Sequence, residues 1–180
     1  MPSRVALLPV FLAFLAAGSN PAMAFSSESA GTDVAVALPL IAGGITLWKG
    51  DWNGTAELGA DTILTVGTAY GLKHVIREER PDHSDFQSMP SDTAALAFAP
   101  AQFLWDRYGW EYGLPAYAAA TFVGWSRVDA QKHHWYDVAA SAGISFAFSK
   151  LITSAYREPG LRYSAAVTPD STYIHVSYNF

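Results

Sequence analysis

Five stretches of helical periodicity, separated by polar loops carrying Gly and Pro, constrain this chain more than any other feature. They run from about Asp33 to Leu47, Glu57 to Arg77, Ser91 to Tyr108, Leu114 to Ser126 and His134 to Thr153. Gly50 to Gly54, Arg80 to Asp85 and Tyr108 to Gly113 read as the connecting loops, because Gly and Pro continue a helix at a cost. Asn53-Gly54-Thr55 fits a glycosylation pattern but is read as part of the first turn. The expected fold is all-α, a compact bundle of about five helices in one domain, since 180 residues are too few for two comfortable cores. After Leu161 the pattern alternates around Pro169-Asp-Ser171, which predicts a short C-terminal β-hairpin.

Met1 to Ala24 has the three parts of a secretory signal: Arg4, an apolar run from Val5 to Ala17, and small residues ending in Ala22-Met23-Ala24. Cleavage after Ala24 would leave 25–180 as the mature domain. The other apolar helices are short of the ~20 residues that cross hydrocarbon or carry polar groups such as Glu57, Asp61, Asp137, Ser141 and Ser145. The chain therefore reads as an exported, periplasmic bundle, soluble or at a membrane surface. An inner-membrane multipass protein with its site facing the periplasm is the alternative. Hydrophobic residues make up 51% and charged residues 15%, which excludes disorder. A net charge of −5 excludes the basic face of a nucleic-acid binder, and the absence of Cys excludes disulfides, thiolate metal sites and a cysteine nucleophile.

Three polar segments carry chemistry. Lys73 and Arg80 lie two helical turns apart ahead of Pro81, so on one helix face they could clamp an anion; a solvated helix end paired with Glu78 and Glu79 is the competing reading. Pro90-Ser91-Asp92-Thr93 opens an Ala-rich helix, where Ser91 or Asp92 could cap and free amides could attract an anion. Ser126-Arg127 is followed by His133 and Asp137, which at i and i+4 on a helix would let the carboxylate orient a nucleophilic imidazole. A metal pair at these two residues lacks a third and fourth ligand nearby, so no metal is expected.

In this order, Lys-x6-Arg-Pro, Pro-Ser-x-x and Ser-Arg-x5-His-x3-Asp resemble the type-2 phosphatidic acid phosphatase superfamily, which includes bacterial nonspecific acid phosphatases and vanadium haloperoxidases. The resemblance covers Lys73 to Asp137 and loosely the flanking helices. It implies that Lys73, Arg80, Ser91 and Arg127 hold a phosphate, that His133 attacks phosphorus to form a phosphohistidine, and that Asp137 orients His133. The implied partner is a phosphorylated small molecule or lipid, with no cofactor and with vanadate as a phosphate mimic.

One departure stands out. The family's middle motif is Pro-Ser-Gly-His, whose His protonates the leaving oxygen, and here Asp92 and Thr93 take the last two places. A Thr hydroxyl does not supply a proton near neutral pH. Asp92 with a raised pKa, or His83 in the loop between the first two motifs, are the candidate replacements. Three readings follow: an exported phosphohydrolase cleaving a phosphate ester or diphosphate, a phosphate-group binder that has lost catalysis, and a haloperoxidase.

Overall fold

The computed structural model describes residues 26–157, 160–168 and 171–179. The expected signal segment and the turn at 169–170 lie outside the described residues. Among the described residues five helices form the bundle: α1 (Ser27–Trp48), α2 (Trp52–Val75), α3 (Asp92–Tyr108), α4 (Trp110–Asp129) and α5 (Trp135–Ile152). Strands β1 (Gly160–Thr168) and β2 (Ser171–Asn179) pair antiparallel, with Gly160 opposite Asn179 and Thr168 opposite Ser171.

Most helix ends differ from the expectation for identifiable reasons. The first helix starts at Ser27, because the Ser26 hydroxyl accepts from the Ser29 amide at 3.1 Å and caps a polar turn that apolar periodicity does not register. Asp51 caps α2 through the Gly54 amide at 2.9 Å, so Asn53 to Thr55 lie in a helical turn. The loop expected there shrinks to a turn at Gly50, whose φ of +66° favours glycine. Between α3 and α4 only Gly109 remains, at φ +87°. Gly113 is helical rather than a breaker: a side chain there would collide with Trp105, so its absence lets the two helices close on each other.

The helices alternate in direction. α3 sits centrally and packs on the other four, with Ala94, Ala95, Ala97, Ala99 and Ala101 fully buried. Leu38, Leu58, Phe98, Phe103, Leu104, Val123 and Val138 complete the core.

At the pole where α2 and α4 begin, Arg107 gathers three segments. Its Nε and Nη2 donate to Asp51 at 2.8 and 2.5 Å, and its Nη1 donates to Glu57 at 3.1 Å and to the Ser154 carbonyl at 2.7 Å. Gly54 leaves the room this requires, since a Cβ there would strike Asp51 and Arg107. Burial acts to raise the Asp51 carboxyl, but bonds from Arg107, Tyr108 and the Gly54 amide hold it below the usual carboxylate range. Truncating Arg107 would leave Asp51 buried without its cation. Arg107→Ala should therefore cost about 3–5 kcal/mol in thermal or denaturant unfolding. A loss no larger than that of an exposed ion pair would mean that this cluster does not hold the pole.

Candidate active site

The opposite pole assembles the end of α2, the loop at 76–91, the start of α3, the end of α4 and the start of α5. Lys73, only 4% exposed, points its Nζ at Asp92 Oδ1 at 3.0 Å. Ser91 caps α3, its buried hydroxyl accepting from the Ala94 amide at 3.3 Å. Arg127 is buried beneath the first turn of α1: its Nη2 donates to the Glu28 carbonyl, and its Nη1 lies 3.9 Å from Glu28 Oε1. Asp92 lies within electrostatic range of both Arg127 and His133.

Arg80 reaches this pole by another route than the expected one. The second helix ends at Val75, because Glu78 bridges to Gln87 and its carbonyl accepts the Ser88 amide at 3.0 Å, which uses backbone groups a continuing helix would need. Lys73 and Arg80 therefore do not share a helix face. Arg80 instead lies in the loop, donating from Nε to Asp85 at 2.7 Å and from Nη1 to the Lys132 carbonyl at 3.3 Å, next to His133. Arg80 holds the exposed Asp85 carboxyl below its usual range, and Lys132, at 2.7 Å, does the same to Asp82. These contacts staple the loop at 76–91 to the turn that carries His133.

His133 is also outside a helix, since α5 begins at Trp135 with His134 as its cap. Its Nδ1 is 3.7 Å from Asp137 Oδ2, whereas the Ser88 carbonyl stands 2.6 Å away. With Nδ1–H donating to that carbonyl, Nε2 is the ring nitrogen left to face a ligand. Asp137 acts one step removed: Oδ2 accepts from the Ser88 hydroxyl at 2.5 Å and from the His134 amide at 2.7 Å. Ser88 is therefore the site residue that sequence reasoning missed. No spacing rule marks a residue that works through its carbonyl.

The two candidate acids fare differently from expectation. His83 is solvent-exposed, with Nδ1 2.8 Å from Glu79, and is not drawn into the cluster. Asp92 belongs to the cluster, but its ion pair with Lys73 stabilises the carboxylate, the opposite of the raised-pKa acid considered above. Thr93 lines a mainly apolar groove beside Asp92.

Arg107 at the far pole has all three guanidinium nitrogens occupied. Among the described residues, Lys73 has one carboxylate partner, and Arg127 Nη1 has none closer than 3.9 Å. Buried cations left short of partners form a seat for an anion.

The PAP2 superfamily matches residues 55–160, more than half of the chain, and the protein belongs to that superfamily. It is 35% identical over 136 residues to a lipid A 4'-phosphatase of Helicobacter pylori (strain J99), an alignment covering 69% of each chain. No solved structure matches it.

Asp92 adds a negative charge where an anion would sit. Two unit charges ~5 Å apart interact by about 3 kcal/mol at an effective dielectric of ~20. Asp92→Asn should therefore tighten the binding of inorganic phosphate or vanadate roughly tenfold or more, measured by calorimetry. Weaker binding would instead make Asp92 a support for Lys73 that the anion needs.

Proposed function

We propose that the protein is a phosphatase of lipid-linked phosphate, working through a phosphohistidine at His133. The observation that carries this is the tie between His133 Nδ1 and the Ser88 carbonyl, beside cations with unused donors. Lys73, Arg80, Ser91 and Arg127 would bind the phosphoryl oxygens while Nε2 of His133 attacks phosphorus. The bond to the leaving oxygen breaks, and its electron pair departs with that oxygen. Water then attacks the phosphohistidine, releasing inorganic phosphate and restoring the imidazole. Such a reaction needs no cofactor, and vanadate would inhibit it as a phosphate mimic.

We further read the bundle as embedded in a membrane with the site at its periplasmic face. Trp48, Trp52 and Trp110 are exposed at the far pole, and Trp125, Trp135, Tyr136 and Phe86 at the site pole. Leu40, Ile63, Leu114 and Phe146 lie exposed between them. Aromatic girdles flanking an apolar band are what a bilayer selects. The span from Trp52 to Tyr70 on α2 rises about 27 Å, close to a hydrocarbon thickness of ~30 Å. Among the described residues, α1 has the length and hydropathy to cross a membrane. Release of the protein by carbonate extraction would refute the embedded arrangement.

The reading of a binder without turnover draws support from Thr93 and from the Lys73–Asp92 pair occupying the seat. Kinetics separate the two. His133→Ala should abolish phosphate release, His134→Ala should leave most of it, and Asp137→Asn should fall between them because the nucleophile survives. Without a proton donor at Thr93, aryl phosphates and diphosphates should turn over and simple alkyl phosphates should be nearly inert. Thr93→His should then raise alkyl turnover by roughly 10²- to 10⁴-fold. Phosphate bound but never released, from any of these substrates, would leave the binder.

A further inference from the structure

α1 lies before the segment that matches the family, yet it touches the phosphate seat. The Glu28 carbonyl accepts from Arg127 Nη2 and also from the Thr32 hydroxyl at 2.9 Å. Gly31 permits this approach, because a Cβ there would collide with Ser126 and stand 3.3 Å from Arg127 Nη2. One turn further on, α1 walls the groove that Thr93 faces. Thr32 and Val36 form one side, Val66 of α2 and Leu96 of α3 the other, and Asp92 and Thr93 line it beside the seat. The cavity measures about 180 Å³. Asp92 belongs to both spaces, since it is the partner of Lys73. On the other side, Val36 is half exposed and Leu40, the next residue on that helix face, is 71% exposed. The groove thus joins a cationic seat to the outer apolar surface of α1.

We propose that this groove holds the hydrocarbon segment nearest the phosphate-bearing head group, and that α1 selects the substrate's chain. Continuity with the seat is what picks this occupant: a molecule whose phosphate lies against Lys73 and Arg127 has an apolar path leading away at Asp92, and among the described residues Asp92 is the one charged side chain that lines it. The proposal rests on the lipid-linked reading above and adds to it the element and residues that recognise the chain.

The protein contains no cysteine, so an introduced thiol is its only one. Val36→Cys and Val66→Cys would each report on the groove, and Leu151→Cys, on a residue 81% exposed near the opposite pole, would serve as control. The full chain in lipid nanodiscs is treated with a maleimide, with or without dodecyl phosphonate or methyl phosphonate, whose C–P bonds resist hydrolysis. At about ten times its Kd, set by calorimetry, dodecyl phosphonate should slow labelling of both groove thiols roughly tenfold and leave the control unchanged. Methyl phosphonate at equal saturation should slow neither. Equal protection by both compounds, no protection of either groove thiol, or no binding of the long-chain compound overturns the proposal. Failure of the phosphatase reading looks different: no aryl phosphate hydrolysis, with chain-dependent protection intact.

Discussion

Lys73, Arg107 and Arg127 each hold a cation almost out of contact with solvent, and the bundle is arranged around that constraint. A buried charge without a partner costs several kcal/mol, so each must be met by groups from another helix end. Arg107, at the end of α3, draws in Asp51, Glu57 and Ser154, fixing where α2 starts and where the chain leaves α5. Lys73 brings the end of α2 to the start of α3, and Arg127 brings the end of α4 under α1. The apolar core between them is largely alanine, which lets helices approach closely but says little about their register. Register is set at the poles.

The same chemistry then divides into structure and function by saturation. Around Arg107 all three guanidinium nitrogens are engaged, and two carboxylates balance the cation. Around Lys73 and Arg127 the close carboxylate partners are fewer, one for Lys73 and one at 3.9 Å for Arg127, and a histidine with an oriented ring stands beside them. Under the same burial, the two clusters differ in how fully their cations are balanced, and an underbalanced buried cation is what an anion site needs.

Much of this was legible in the sequence. Helical periodicity gave the five elements, and the three polar segments that carry Lys73, Ser91, Arg127 and His133 are the ones the structure gathers at one pole. The details that were not legible depend on backbone groups. Arg80 leaves the helix because Glu78 pairs with Gln87, and His133 is oriented by the carbonyl of Ser88; neither leaves a side-chain signature. Gly54 and Gly113 read as breakers because glycine does end helices, whereas here they admit the Arg107 cluster and the Trp105 contact. The role of α1 was hidden for a similar reason, since it acts on Arg127 through the carbonyl of Glu28.

The role proposed for His133 is that of a nucleophile rather than of a phosphate-binding imidazole. Rapid acid-free quench of the protein with a phosphorus-labelled aryl phosphate, followed by peptide mapping under alkaline conditions, tests it most directly. A burst of phenolate matched by label on the His133 peptide, absent in His133→Ala, is the predicted result. Steady turnover with no protein-bound label, or with label on another residue, would contradict it.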